Sequence, residues 1–236
     1  MVVARSSLGL PRVPNKSGRS WTIGYIGKNA GAAVPASAEA LFPDAYVIEQ
    51  KPHSSGGPHF HLQDEFQLVI SGGGAIGKHA VRAFCLHYAG AFTPYGPIDA
   101  GPEGIAYLTL RTRYDPGAQM MPENRAALRA GKRKPRARFS APLQLGRSEE
   151  VFAPEPDGLA AFHYHVPANG TATGPDPALG GGQFWVVLDG ELRSPAGTTL
   201  PPRSCVFVSA DEPAQRVAAS PATSLDVLVV QFPACG

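Results

Sequence analysis

Glycine and proline interrupt this sequence so often that no bundle of regular helices fits into it. There are 27 glycines and 24 prolines among 236 residues. Inside a helix they cost roughly 1 and 3 kcal/mol each. A helical bundle and a coiled coil are therefore excluded. Yet 43% of the chain is hydrophobic, which is enough to fill a core. What remains is a fold of many short strands joined by tight turns. The runs Trp21–Ile26, Ala45–Glu49, Phe66–Ile70, Gly74–Val81, Ala83–Tyr88 and Ile105–Arg113 read as strands. After a change of character they resume at Leu159–Val166, Gln183–Leu188, Ser204–Val208 and Leu225–Phe232. All are short, rich in β-branched and aromatic residues, and bounded by turn formers.

The segment between the two groups of strands is different. Met121–Gly131 reads as a helix, with Pro122 in its first turn and Gly131 just past its end. Seven basic residues follow one another closely over 125–138. No aromatic residue is interleaved as single-strand nucleic-acid binding requires, so this reads as a solvated linker or a contact arm. The formal net charge of +2 also argues against a nucleic-acid partner. No apolar run approaches the ~20 residues needed to cross a bilayer, and Met1–Pro14 lacks the apolar core of a signal peptide. Three scattered cysteines, Cys85, Cys205 and Cys235, suit neither a disulfide framework nor a zinc ribbon, so a reducing cytoplasm is expected.

The two groups of strands repeat each other faintly. Glu65-Phe-Gln-Leu-Val-Ile-Ser-Gly72 lies on Gln183-Phe-Trp-Val-Val-Leu-Asp-Gly190 at an offset of 118, half the chain. Phe66, Val69 and Gly72 match Phe184, Val187 and Gly190. This predicts two similar halves.

The chemistry lies in the first half, in His59-Phe-His61-Leu-Gln-Asp-Glu65. Side chains alternate along a strand, so His59 and His61 project from one face. A tight turn over 62–64 then lets Glu65 face the same interior, with Gln67 one step deeper. Two imidazoles and a carboxylate suit a divalent transition metal and leave coordination positions open. Other candidates for the site are His79 and His87 on predicted strands, and Tyr95 in the Thr93–Pro97 turn. A packing role is the plainer reading of each, and of the later pair His163 and His165.

These residues resemble the cupin superfamily. His59, His61, Glu65 and Gly72 match the H-x-H-x3-E-x6-G part of its first motif, although His53 stands where its leading glycine belongs. Pro94-Tyr95-Gly96 matches P-x-G of the second motif, but Asp99 stands at its metal-binding histidine and Glu103 at its asparagine. In the second half, Gln183 replaces the glutamate, and Pro177, Leu179 and Ala214 fall on the histidine positions. The resemblance implies an all-β fold of two double-stranded β-helix, jelly-roll-like barrels joined by a short helical linker. The expected divisions are an arm with the first strands over 1–40, an N-terminal barrel over 41–115, a helical and basic linker over 116–150, and a degenerate C-terminal barrel over 151–236.

The resemblance also implies a metal held by His59, His61 and Glu65, with Asp99 as a fourth, oxygen ligand. Iron(II) is the first expectation; manganese, nickel, copper and zinc also suit the set. Glu65, Tyr95 and His79 are the expected catalytic groups. The expected activity is that of a dioxygenase-type oxidoreductase on a small aromatic or diketone-like substrate. A metal-dependent isomerase or lyase, and a non-catalytic module binding a small ligand, are the alternatives. A homodimer fits the family's habit of pairing through outer strands.

Overall fold

A computed structural model of the chain describes residues 1–37, 40–128, 135–193 and 198–234. It is all-β. The strands are β1 (Val2–Arg5), β2 (Arg12–Pro14), β3 (Ser20–Ile26), β4 (Leu41–Gln50), β5 (Ser55–Gly56), β6 (His59–Phe60), β7 (Glu65–Ile76), β8 (His79–Arg82), β9 (Leu86–Ala89), β10 (Ile98–Arg113), β11 (Gln119–Met120), β12 (Ala137–Phe139), β13 (Glu149–Phe152), β14 (Ala160–Val166), β15 (Thr171–Thr173), β16 (Gln183–Asp189), β17 (Leu192–Arg193), β18 (Thr199–Leu200), β19 (Cys205–Val208), β20 (Arg216–Ala219) and β21 (Leu225–Gln231). Among the described residues no helix is long and apolar enough to cross a membrane.

The chain divides into two compact units, Pro11–Pro142 and a second made of Leu143–Gly236 with Met1–Leu10. In the first, a nine-stranded sheet runs β12-β9-β7-β10-β4-β3-β2, with β5 added to β10 and β8 to β7. In the second, a six-stranded sheet runs β1-β19-β16-β21-β14-β13, beside a four-stranded sheet β15-β20-β17-β18. The first ten residues are therefore not part of a loose arm: β1 pairs antiparallel with β19, and Ser7 N–H donates to Ser204 Oγ. Likewise residues 116–142 belong to the first unit, where β12 extends its sheet beside β9.

The helix expected over 121–131 begins later, and its positions 129–131 lie outside the described residues. Its described part is α1 (Arg125–Leu128), because the segment begins with three-residue turn bonds, Arg125 N–H to Pro122 O and Ala127 N–H to Asn124 O. Residues 129–134 of the basic stretch, and Cys235, lie outside the described residues. Cys85 and Cys205 are buried free thiols.

Glycine bends strands that composition alone would end. The two runs read over 66–81 are one long strand, β7, followed by β8 after the turn at Gly77. Where β7 passes Gly72–Gly74, its register with β10 shifts. Gly72 has φ +65, and a Cβ there would stand 2.2 Å from Gly104 O. Gly190, its match in the second unit, has φ +74, and a Cβ there would stand 2.0 Å from Ser224 O. The correspondence extends through the hydrogen bonds. Val69 N–H donates to Cys85 O and Phe84 N–H to Val69 O; Val187 N–H donates to Ser204 O and Arg203 N–H to Val187 O. Phe84 and Arg203, one in each unit, both have positive φ. Two clusters of side chains fill the interiors: Val69, Ile76, Tyr95, Ile98, Ile105 and Tyr107 in the first unit, and Val166, Trp185, Val187, Leu225, Val227 and Val229 in the second.

Replacing Gly72 with alanine combines left-handed strain of about 1–2 kcal/mol with a backbone collision. Gly72→Ala is expected to lower stability by at least about 2 kcal/mol, against about 1 kcal/mol for Gly146→Ala, where φ is +88 but nothing lies within 4 Å. Urea midpoints of the two variants check this; equal losses would contradict it.

Candidate functional site

The site forms where a turn is stitched to the short strand β6. His59 N–H donates to Tyr95 O and Tyr95 N–H to His59 O, while Phe92 N–H donates to His61 O. Alternation then decides the faces. Phe60 is fully buried on one side, and His59 and His61 project from the other with ring centroids 5.3 Å apart. Glu65 opens β7 with 0% exposure. Phe66 and Leu68 face away from it, and Gln67 and Val69 continue its row. Strand β10 brings Leu110 opposite Phe66 and Thr109 opposite Gln67, so Arg111 arrives beside Glu65.

Both oxygens of Glu65 are taken. Arg111 Nη2 donates to Oε2 at 2.5 Å, and the Tyr95 hydroxyl donates to Oε1. Burial alone pushes the Glu65 pKa up; the facing His61 and Arg111 charges and the Tyr95 hydrogen bond outweigh it and hold the carboxyl below its ordinary range. Arg111 also donates to Tyr46 Oη at 2.8 Å. Burial pushes the Tyr95 hydroxyl well above its ordinary pKa, and Glu65 adds to this.

Each imidazole is pinned through Nδ1. His59 Nδ1 donates to Gly57 O at 2.7 Å, and His61 Nδ1 to Asp115 Oδ1 at 2.8 Å. His87 Nδ1 donates to Gln67 Oε1 at 2.9 Å, which turns the Gln67 amide so that Nε2 donates to Tyr95 Oη at 3.1 Å. Burial lowers the pKa of His59, so its ring is neutral with the lone pair on Nε2. Burial also lowers His87, to about 4, and its Nε2 is buried without a hydrogen-bond partner. Asp115 is held below its ordinary value because the His61 hydrogen bond and Arg111 outweigh burial. It also accepts from Leu62 N–H and Gly117 N–H.

Tyr95 Oη faces two acceptors, Glu65 Oε1 and His59 Nε2 at 3.0 Å, and has one proton for both. His61 Nε2 stands 3.9 Å from Glu65 Oε2. Two imidazole nitrogens, the Tyr95 hydroxyl and the Glu65 carboxylate are thus brought together, with Arg111 as the cation on Glu65. This is the chemistry of a metal-binding donor set, with Nδ1 partners fixing the tautomers. Among the described residues, no three His, Cys, Asp or Glu side chains already stand at metal-ligand spacing.

Of the residues expected from sequence, His59, His61, Glu65 and Tyr95 come together here. Asp99 does not. Ile98 and Ala100 take the interior positions on β10, so Asp99 points to the opposite face by the period of two. His79 is exposed on β8 and stacks on Phe139 with ring centroids 3.9 Å apart, and Phe139 also stacks on His87 at 4.3 Å. Arg111, Asp115 and Gln67 as the amide link are the participants that motif reading misses or leaves open. An arginine directly after the largely apolar run Ile105–Leu110 was the available signal.

The equivalent place in the second unit carries no charge. Gln183 Nε2 donates to Gln231 Oε1 and Pro175 O, and Trp185 Nε1 donates to Gln183 Oε1. Pro177 and Leu179 lie in a 3-10 turn. His163 and His165 instead share Asp226, at 2.8 and 3.1 Å.

Removing the Glu65 charge leaves Arg111 buried and unpaired, so Glu65→Gln is expected to destabilise by about 3–5 kcal/mol, read from urea midpoints. His87 predicts a pH dependence. The unfolded chain protonates it near its ordinary value, whereas the fold refuses the proton until about 4. Its contribution is therefore full above pH 6.5 and is lost as pH falls towards 4, by about 3 kcal/mol at most. His87→Gln should flatten that part of the stability–pH curve; an unchanged slope would contradict the assignment.

No protein-family model matches the sequence, and no curated protein matches it. Solved structures do match in fold. Pirin YhhW from Escherichia coli, in complex with nickel(II), superposes with a TM-score of 0.64 at 13% identity, covering 100% of both chains. Oxalate decarboxylase from Lactobacillus farciminis, as its formate complex, gives 0.64 at 11% identity over 98% of this chain and 86% of that one. Oxalate decarboxylase from Bacillus subtilis, described for its Mn(II) centres, gives 0.61 at 9% identity over 100% and 78%. The fold of this chain is a cupin fold.

Proposed function

We propose that the chain is a two-barrel cupin enzyme whose N-terminal barrel carries a divalent metal on His59, His61 and Glu65. The observation that carries this reading is the pinning of both imidazoles through Nδ1, which leaves His59 Nε2 3.0 Å from the Tyr95 hydroxyl and His61 Nε2 3.9 Å from the buried Glu65 carboxylate. The donor set fits such an ion in kind. The nickel(II) and Mn(II) in the descriptions of two fold neighbours support a divalent metal here, with iron(II) kept as the first expectation. The matched turns and hydrogen bonds of the two units support two related barrels, the second without chemistry.

The proposed reaction is a dioxygenase-type oxidation of a small aromatic or diketone-like substrate. When bound, the metal supplies Lewis-acid and redox chemistry. The chain's own residues do the rest. Arg111 fixes Glu65 through Oε2, and Asp115 fixes the ring of His61. Tyr95 and Glu65 share a proton that can be exchanged with an acidic substrate hydroxyl or methylene. Burial of Glu65 and His61, 0% and 8% exposed, limits water around that proton.

A metal-free module binding a small ligand is the second reading. It is favoured by Arg111 and Tyr95 occupying both oxygens of Glu65, and by the absence of ligand spacing among the described residues. Metal analysis of the purified protein after reconstitution with each divalent ion separates the two. One ion per chain, lost in His61→Ala, is expected; a wild type that retains none sinks the metalloenzyme. Oxygen uptake with catechol and β-diketone panels tests the reaction class. Consumption of a substrate without oxygen would replace the dioxygenase with an isomerase or lyase.

A further inference from the structure

The structure assigns a second binding site to the first unit, a cleft on the outer face of its nine-stranded sheet that takes a small zwitterion, an α-amino acid with an apolar side chain. The cleft lies on the other face of the sheet from Glu65, and the inference does not depend on the metal reading above.

Strand register builds the cleft. Ala106 pairs with Glu49 on one side and Ser71 on the other, and Glu49 pairs in turn with Trp21, so these residues form one row across β7, β10, β4 and β3. Ile105 and Tyr107, the neighbours of Ala106 along β10, belong to the interior cluster, so the row faces outward by the period of two. The small side chains of Ser71 and Ala106, beside Gly104, leave a hollow of about 340 Å³. Gly104 has to stay bare: its φ is +77, and a Cβ there would stand 2.6 Å from Gln50 O. One part of the lining is cationic. Arg12 Cζ lies 3.6 Å from the centroid of the Trp21 ring, and Arg12 Nε donates to Glu49 Oε2 at 2.5 Å. The guanidinium is thus fixed through its face and its Nε, while both Nη groups have no hydrogen-bond partner among the described residues. Lys51 Nζ stands 5.1 Å from the same ring and likewise has no hydrogen-bond or ion-pair partner among them. A planar guanidinium held on an aromatic face, with its fork unengaged and an ammonium nearby, suits a carboxylate.

The rest of the lining decides against a simple anion. Arg12 and Lys51 share the cleft with Glu49 and Glu103, so the lining carries no net charge. Glu49 is matched by Arg12, whereas the exposed Glu103 has no ion-pair partner among the described residues. A phosphate or a dicarboxylate would add charge of one sign to this balanced lining. A ligand with one charge of each sign keeps the balance: its carboxylate meets Arg12 and Lys51, and its ammonium meets Glu103. The Ser71 hydroxyl adds a neutral hydrogen-bonding group, and Ala106 and Pro52 offer apolar surface to the ligand's side chain.

L-leucine and its two half-molecules, isocaproate without the ammonium and isoamylamine without the carboxylate, are the probes. Each is titrated into the full chain while the indole N–H resonance of Trp21, assigned by its loss in Trp21→Phe, is followed by nuclear magnetic resonance. Leucine is expected to shift it with a Kd near about 1 mM, and each half-molecule to bind at least about tenfold more weakly. Arg12→Gln and Glu103→Gln alter exposed side chains and should leave the far-ultraviolet circular dichroism unchanged. Each should weaken leucine by about tenfold or more. Glu103→Gln should leave the binding of isocaproate as it was, which a merely structural role for Glu103 would not do. A Trp21 resonance unmoved by about 10 mM leucine overturns the inference. So does leucine binding that survives both variants, or isocaproate binding as tightly as leucine. None of these outcomes bears on the metal reading, which the metal analysis above decides separately.

Discussion

The buried carboxylate of Glu65 sets the terms for everything around it. A fully buried anion is costly unless each oxygen has a partner and its charge is matched. Here Arg111 matches the charge from β10, and Tyr95 completes the second oxygen from the turn beside β6. Three separate pieces of chain are thereby tied to one group. The register of β7 on β10 has to be the observed one, since a slip of one residue would send Glu65 or Arg111 to the other face.

The second unit shows the same backbone devices without that constraint. Gly190, Arg203 and Val187 repeat the geometry of Gly72, Phe84 and Val69, yet Gln183 needs only neutral amide partners. Shared backbone geometry with different interior chemistry is what a fold-level likeness alone permits. Its titratable groups are placed elsewhere: His163 and His165 meet at Asp226, with Glu149 Oε1 3.8 Å from His163 Nδ1.

Part of this was legible in the sequence. The period of two and a tight turn suffice to bring His59, His61 and Glu65 together, and the offset between Gly72 and Gly190 marks corresponding turns. Tyr95 was legible through the turn that carries it. Arg111 was not, because its meeting with Glu65 depends on strand register across 46 residues, which local patterns do not encode. Asp99 was misplaced for a related reason: motif alignment fixes position along the chain but not which face of β10 turns inward. His79 and His87 looked alike as strand residues, and only the structure separates an exposed ring from a buried one. The N-terminal ten residues did not read as part of the second half because β1 is four residues long and mostly exposed; its order comes from pairing with β19, some 200 residues away in the chain.

The central claim is that His59, His61 and Glu65 of the first unit hold one metal ion. Anomalous diffraction from crystals of reconstituted protein, collected at the metal's absorption edge, tests it most directly. The account predicts one strong peak bounded by His59 Nε2, His61 Nε2 and Glu65. A map with no peak there, or with its peak at the His163–Asp226 cluster instead, would contradict it.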